Sequence, residues 1–304
     1  MKYFFVFFCF FLTLNAYSEI SIKYKIGNEI ITNVDILNEQ KLLLFLRPDL
    51  KKLNSTEIKE LSKNSLIKEI IKKKELKKYF DLEKKYNFID ELRINLYNFK
   101  NIKNDKQFEE LIKNENIEEK NLIDKLKIEA LWNELIYNKF YNLVKIDRDY
   151  LKKQLEKKIS SDLKFSYNLS EILFELNQNE TKDKKFKLIK NNINKNGFEY
   201  SASKFSISNS SSNGGSIGWV KETLLSKEIN NVIKNISVGD FSKPIKYPNG
   251  YLILKVNEKK IIKEKIDINK ELQEFIKFEK NKQLNQFSLL FFRKIKQNQS
   301  IYEY

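Results

Sequence analysis

Residues 214–256 decide the fold: GGSIGWVKETLLSKEINNVIKNISVGDFSKPIKYPNGYLILKV. The chain contains seven glycines, and five of them fall within this stretch: Gly214, Gly215, Gly218, Gly239 and Gly250. Glycine marks positions where the backbone needs a positive φ or a close approach to a neighbour. The path of this segment is therefore tightly constrained, and its pattern predicts a strand, a helix, a turn, a strand, a second turn and a last strand.

Four short motifs follow one another in this part of the chain: LSEILF at 169–174, GGSIGW at 214–219, GDFSKPI at 239–245 and GYLILKV at 250–256. In this order and spacing they resemble the parvulin family of peptidyl-prolyl isomerases. The resemblance implies an α+β domain over residues 163–262, in which helices surround a four-stranded sheet, and it implies an activity on prolyl peptide bonds.

Three positions that the resemblance marks as catalytic are unusual here. Parvulins usually carry one histidine in the first strand and another in the last, but this chain has no histidine. Glu171 and Leu252 stand at those two positions, and Ser208 stands where the family often has cysteine or aspartate. Because leucine offers no hydrogen bond, Glu171 would need Ser208, Tyr167 or water as its partner. We therefore expect isomerase activity to be weak or absent.

The resemblance also places a substrate-binding pocket for proline. It puts this pocket at Ile217, Leu225, Ile229 and Leu252, with Ser208 at its polar edge. Phenylalanine or methionine would be more usual at positions 225 and 229, so the pocket is expected to be aliphatic and shallow. Simple core packing is an equally good interpretation of Ser208, Leu225 and Leu252.

The flanking segments predict helices. Residues 20–31 alternate polar and apolar side chains around Gly27 and predict a hairpin. Thr32 then begins a helix, with Asp35 completing a capping box. Helices are expected at 33–46, 54–80, 88–100, 105–114, 118–142, 147–160 and 267–297, with helices at 181–196, 198–205 and 226–236 and strands at 168–176, 217–220, 241–247 and 251–258 in the parvulin-like part.

Residues 19–162 are similar to the N-terminal chaperone domain of SurA-type periplasmic proteins, and residues 263–304 are similar to their C-terminal segment. This resemblance implies a mainly helical N-terminal domain, which a C-terminal helix and strand complete by packing on it. The fold class predicted for the whole chain is α+β.

Residues 1–18 have the features of a secretory signal peptide. Lys2 precedes an apolar run over 3–14, and small residues favour cleavage near Ser18. An uncleaved anchor is the alternative interpretation. The only cysteine, Cys9, lies in this segment, so the remaining chain has neither cysteine nor histidine. That composition excludes thiol catalysis and disulfides, and we predict no metal and no cofactor.

The net charge of +16 comes almost entirely from lysine. The lysines alternate with acidic residues along helical patterns, and only four arginines are present, so nucleic acid is not an expected partner. A cationic surface would still attract acidic polypeptides or, at most peripherally, an anionic membrane face.

Taken together, these features predict a periplasmic chaperone whose partners are unfolded or extended client polypeptides, outer-membrane proteins first among them. The alternative is an active isomerase that works on periplasmic clients. Ten aromatic residues are candidates for lining a client crevice, although most of them are expected to be core: Phe45, Tyr79, Phe80, Phe88, Tyr97, Phe99, Trp132, Tyr137, Phe140 and Tyr141.

Overall fold

The computed structural model describes residues 19–159, 165–248, 250–262 and 267–304. The predicted signal peptide, and Asn249 in the turn expected between the last two strands, therefore lie outside the described residues. The expected domain boundaries fall at or beside 160–164 and 263–266, which are also outside them, so the division into domains stays a prediction.

The chain opens with a short hairpin that leads into a capped helix. Strands β1 (Ile22–Ile26) and β2 (Glu29–Thr32) pair antiparallel, as expected. Thr32 then begins α1 (Asn33–Leu46): its hydroxyl accepts from the backbone N–H of Asp35 at 3.2 Å, and the Asp35 carboxylate accepts from the backbone N–H of Thr32 at 2.7 Å. The capping box that the sequence predicts is confirmed.

Five helices follow, and each begins within a residue or so of its expected start: α2 (Ser55–Leu76), α3 (Phe88–Lys100), α4 (Asp105–Asn114), α5 (Glu119–Phe140) and α6 (Arg148–Ile159). Helix α2 ends four residues before Phe80, the end that its pattern predicts. The carbonyl of Leu76 accepts from the N–H groups of both Tyr79 and Phe80 at 2.9 Å, and this shared bond tightens the last turn. None of the described helices combines the length and the apolarity that crossing a bilayer requires.

A four-stranded antiparallel sheet forms the second part of the chain, which confirms the α+β class. Its strands are β3 (Phe165–Phe174), β4 (Ser216–Lys221), β5 (Ile245–Tyr247) and β6 (Gly250–Ile261), in the order β4-β3-β6-β5. The prediction of a longer strand over 241–247 is wrong. Pro244 has no N–H to donate to a ladder, so the chain before β5 keeps only a single bridge, from Phe241 to Lys255.

Two glycines permit the close approach of backbone segments at the ends of this sheet. A Cβ on Gly215 would lie 2.3 Å from the carbonyl oxygen of Glu171, and one on Gly250 would lie 2.2 Å from that of Phe174. Both glycines also have positive φ angles, 80° and 137°. These positions explain why the stretch that decides the fold is rich in glycine.

Helices pack on both faces of the sheet. One face carries Ile172, Phe174 and Ile253, which pack under α7 (Lys182–Asn196) and α8 (Phe198–Phe205). The other face carries Leu173 and Leu252, and α9 (Lys227–Ile233) contributes to its core.

The C-terminal segment returns to the start of the chain. Helix α10 (Ile268–Gln297) packs along α5, where the Trp132 ring stacks on Phe291 with centroids 5.7 Å apart and its indole N–H donates to Ser288 at 2.9 Å. Strand β7 (Ile301–Glu303) then pairs antiparallel with β1 and completes a sheet of order β2-β1-β7. The expected packing of a C-terminal helix and strand on the N-terminal helices is thus seen in these contacts.

Charged side chains are buried between α1, α2 and α5. The ammonium of Lys125 lies 2.8 Å from the Glu39 carboxylate and 2.7 Å from that of Glu69, and Lys72 lies 2.6 Å from Glu129. Burial alone would lower the pKa of Lys125, but its two carboxylate partners raise it above its usual range. These pairs offset the cost of removing each charge from water.

Lys68 belongs to the same region but lacks such compensation. Burial, together with the neighbouring charges of Lys72 and Lys125, lowers the pKa of Lys68 to about 8, against the opposing effect of Glu129. The folded state therefore disfavours the Lys68 charge relative to the unfolded chain, whose lysines titrate near 10.5.

We expect Lys68→Met to raise the free energy of unfolding at pH 7 by roughly 2–3 kcal/mol, because the buried charge is removed. Between pH 8 and 10.5 the unfolded parent chain binds more protons at Lys68 than the folded chain does, so the parent becomes more stable as pH rises. The difference in free energy of unfolding between Lys68→Met and the parent therefore becomes smaller over this range. Urea unfolding at pH 7 and pH 9.5 measures this, with the exposed Lys59→Met as control. An equal effect of both substitutions would contradict it.

Candidate functional site

Glu171 is the polar centre of the candidate site. Its carboxylate oxygen Oε1 accepts hydrogen bonds from the hydroxyls of Ser208 at 2.6 Å and Ser210 at 2.9 Å. Hydrogen bonds to an ionised carboxylate are stronger than those between neutral groups. Ser208 is one of the partners that the sequence predicts for Glu171, and the structure shows this contact.

Tyr167, the other side chain considered as a partner, does not serve that role. Its hydroxyl is buried and makes no hydrogen bond to any described residue. Burial raises the pKa of Tyr167 to about 12, and the charge of Glu222 contributes to the shift. This hydroxyl is therefore a neutral group held away from Glu171.

The polar loop of residues 206–213, the serine loop, is held next to Glu171 by backbone hydrogen bonds. Ile207 donates its N–H to the carbonyl of Leu173 at 2.7 Å, and Glu171 donates its N–H to the carbonyl of Gly215 at 2.8 Å. A short 3₁₀ helix, Asn209–Asn213, lies between these two attachments. Ser210 was missed by the sequence analysis, although the run SISNSSSN places a second hydroxyl two residues after Ser208.

Leu252 lies on the same face of the sheet as Glu171 but makes no polar link to it. In the β3–β6 ladder Glu171 pairs with Leu254, and Leu252 pairs with Leu173, so the two family positions are diagonal neighbours. Leu252 is 3% exposed and belongs to the apolar core. Glu171 and Leu252 therefore do not form the hydrogen-bonded pair that histidines form at these positions in parvulins.

Three of the four expected substrate-binding residues come together. Leu225, 5% exposed, and Leu252 belong to one apolar cluster, and Ile229 packs against it. Ile217 lies on edge strand β4, is 39% exposed and is not part of that cluster. The structure therefore groups the aliphatic positions but does not leave Leu225 and Leu252 open to solvent.

The same cluster extends onto helices from outside the sheet. Leu151 and Leu155 of α6 belong to it, and so do Leu272, Phe275 and Leu289 of α10. The face of the sheet that carries the candidate site is therefore covered by α6 and α10. In the state described, the side chains of Leu225 and Leu252 are buried in this cluster and are not accessible to a polypeptide.

A known protein family matches the part of the chain that carries the candidate site. Residues 170–258 match the family described as rotamase, PPIC-type PPIASE domain. These residues form a PPIC-type domain. All the candidate catalytic and substrate-binding positions, from Glu171 to Leu252, fall inside it.

Among curated proteins, the chain is similar to chaperone SurA of Pseudomonas aeruginosa, with 40% identity over 47 residues. That match covers 16% of this chain and 11% of the relative, so it spans only about a tenth of the relative's length.

Solved structures resemble the chain over more of its length. One, from a study of the two SurA-like chaperones PEB4 and Cj1289 of Campylobacter jejuni, is 18% identical and covers 93% of this chain and 99% of its own, with a TM-score of 0.38. Another, PrsA from Bacillus subtilis, is 19% identical and covers 90% of this chain and 88% of its own, with a TM-score of 0.29. Both TM-scores are too low to establish a shared arrangement.

The serine contacts of the PPIC-type domain lead to a test. We expect Ser208→Ala combined with Ser210→Ala to lower the free energy of unfolding by about 1–3 kcal/mol, because the Glu171 carboxylate loses both hydroxyl donors. Urea unfolding followed by circular dichroism measures the change. Ser212→Ala is the matched control, since the exposed Ser212 bonds only to the backbone of its own loop. A double variant as stable as this control would show that the contact does not hold the loop.

Proposed function

We propose that this protein is a periplasmic chaperone that binds unfolded secreted or outer-membrane proteins, and that its PPIC-type domain has weak or no isomerase activity. One observation carries the proposal: Glu171 is tied to two serines, while Leu252 is sealed in an apolar core. Both family histidine positions are thus filled by side chains with structural partners.

The physics of prolyl isomerisation supports the low activity. The uncatalysed barrier is about 18–20 kcal/mol, since the amide C–N bond has partial double-bond character. A catalyst must favour the twisted amide over the planar one in a pocket that accepts the proline ring. Here Leu225 and Leu252 are buried in an apolar cluster that includes residues of α6 and α10, so the pocket is filled by the chain itself.

Binding of a client needs exposed apolar surface, and a subset of the candidate aromatic residues provides it. Tyr79, Phe99, Tyr137 and Tyr141 are exposed, whereas Phe45 and Trp132 are core. The rings of Tyr137 and Tyr141 lie 4.7 Å apart. Adjacent exposed aromatic rings of this kind suit the apolar side chains of an extended polypeptide.

Lysines accompany these rings. The ammonium of Lys139 lies 5.6 Å from the centroid of Tyr79, and that of Lys280 lies 5.3 Å from the centroid of Tyr141. This combination favours clients that carry acidic side chains near their aromatic ones. The short match to chaperone SurA and the expected signal peptide support the same proposal.

The alternative function is an active peptidyl-prolyl isomerase that acts on periplasmic clients. The match of residues 170–258 to the PPIC-type family favours it, because members are described as isomerases. It requires the candidate pocket to open and to work without histidine.

Two assays on one preparation separate these functions. We expect the chain from residue 19 onward to suppress aggregation of an unfolded outer-membrane barrel, while its catalysis of cis–trans exchange in a proline peptide stays at or near the uncatalysed rate. Strong isomerisation that is lost in Leu225→Ala would favour the enzyme instead.

The aromatic pair gives a sharper test of client binding. We expect Tyr137→Ala combined with Tyr141→Ala to weaken aggregation suppression several-fold, since two adjacent exposed rings are lost. Tyr302→Ala removes an exposed ring on β7 and serves as the control. Equal losses in both variants would place the client site elsewhere.

A further inference from the structure

The short sheet β2-β1-β7 has one buried face and one exposed face. Ile26 and Ile31 are buried, at 0% and 1% exposure, and pack with residues of α1 and α2. Because side chains alternate along a strand, their neighbours Lys25 and Ile30 point away from that core. In the register of the sheet, Lys25 lies between Ile30 of β2 and Tyr302 of β7. The outer face therefore carries a lysine flanked by an isoleucine and a tyrosine.

Further apolar side chains extend this row. One cleft that opens to solvent is lined by residues of the hairpin and of the segment after β7: Ile22, Lys25, Asn28, Ile30 and Tyr304. Ile22 and Ile30 are 46% and 48% exposed, and Tyr302 and Tyr304 are 57% and 68% exposed. Together with Lys25, these four residues form the hairpin face. A contiguous exposed apolar patch of this kind marks a site of contact with another surface.

The charges around the hairpin face leave it cationic. The carboxylate of Glu29 pairs with Lys77 at 3.7 Å, and that of Glu303 accepts a hydrogen bond from a tyrosine hydroxyl of β1 at 2.7 Å. Lys25 has no side-chain partner among the described residues. Glu19, which precedes β1, is opposed by Lys25 and by a second lysine of that strand. An unpaired ammonium among apolar side chains favours an anionic surface as the partner.

A lipid bilayer fits the hairpin face better than a polypeptide does. Lysine and tyrosine side chains are amphipathic, so they place their apolar part at the edge of the hydrocarbon and their polar end among the headgroups. The apolar run over residues 3–14 also ends only eight residues before Ile22. Eight residues span at most about 26–29 Å, so the sheet lies beside the membrane in any form of the chain that keeps this run in a bilayer.

We propose that the hairpin face binds the surface of an anionic phospholipid bilayer. Lys25 contacts lipid phosphate groups, while the two isoleucines and the two tyrosines enter the boundary between headgroups and acyl chains. The contact is peripheral, since none of the described helices could cross a bilayer. It goes beyond the proposed function and does not depend on it, because the hairpin face shares no residue with the Tyr137 and Tyr141 pair.

The test must locate the contact as well as detect it. A chain of net charge +16 is attracted to any anionic surface. From residue 19 onward the chain has no cysteine, so a single introduced cysteine can carry an environment-sensitive nitrobenzoxadiazole probe. Asn28→Cys places the probe in the cleft of the hairpin face and leaves its apolar side chains intact. Asn231→Cys places it at an exposed position of α9 and is the matched control.

We expect vesicles of phosphatidylglycerol and phosphatidylethanolamine to raise the probe's emission at position 28 about twofold or more and to shift it to shorter wavelength, with no change at position 231. Vesicles of phosphatidylcholine alone should leave both probes unchanged, because they carry no net negative charge. Equal changes at both positions would mean adsorption without a preferred face. No change at position 28 while the chain sediments with the vesicles would place the contact elsewhere. Either result overturns the proposal.

Two other occupants of the hairpin face give distinct results. A second copy of the chain would change the probe at position 28 as the protein concentration rises in the absence of vesicles. A client polypeptide would change it when an unfolded outer-membrane barrel is added without vesicles. Either change, without a response to anionic vesicles, overturns the proposal.

Substitutions on the hairpin face give the size of the effect. We expect Lys25→Thr combined with Ile30→Thr to weaken cosedimentation with the anionic vesicles about tenfold or more, since a lysine at the surface contributes roughly fivefold and the isoleucine adds apolar contact. Lys246→Thr combined with Ile261→Thr is the matched control, because it removes the same charge and an exposed isoleucine from strands β5 and β6.

Equal weakening in the two double variants would show that only the total charge matters, and it would overturn the proposal. If the variant of the hairpin face does not fold by circular dichroism, the probe at position 28 still decides, because it keeps Lys25 and Ile30. No client takes part in the vesicle assays, so their failure is distinct from failure of the aggregation assay.

Discussion

One buried hydroxyl makes hydrogen bonds to both parts of this protein. Ser288 accepts a hydrogen bond from the indole of Trp132 in the helical part and another from the amide of Asn209 in the PPIC-type domain. A serine oxygen has two lone pairs, so both donors can be satisfied at once. Because α10 carries Ser288, the helix is at the same time the centre of the N-terminal core and the cover of the sheet. Through Ser288, the helix that packs on α5 also contacts the loop that carries Ser208.

The carboxylate at the centre of the site is partly buried. A carboxylate that is partly removed from water is stabilised by hydrogen bonds from nearby donors. Ser208 and Ser210 donate those bonds to Glu171. Leu252 fills the second family position and has no side-chain group that needs a hydrogen-bond partner. The PPIC-type domain thus has the expected four-stranded sheet, and its polar centre is a carboxylate with two hydroxyl donors.

Local signals in the sequence predicted most of the secondary structure. Thr32 and Asn54 are caps with a carboxylate three residues later, and both helices begin where those caps place them. The prediction of a strand over residues 241–247 was wrong because a continuous ladder there would need a backbone N–H at position 244, which proline lacks.

The packing of α10 against the candidate site could not be predicted from such local signals. Helix α10 is apolar on more than one side, with Phe275 and Leu289 toward the sheet and Phe291 toward Trp132, so its pattern does not say which partner each side meets. Ser210 was missed for a related reason: a polar loop does not reveal in sequence which hydroxyl points at a carboxylate. The residue positions of the site were accessible from family motifs, but their burial is a tertiary property.

The central claim is that clients bind away from a closed isomerase-type face. Amide hydrogen exchange of the intact protein, with and without an unfolded outer-membrane protein, tests it most directly. The account predicts added protection in the segments around Tyr137 and Tyr141, and unchanged exchange around Ser208, Leu225 and Leu252. Protection that appears first around Leu225 and Leu252 would contradict it, and would make the PPIC-type face the client site.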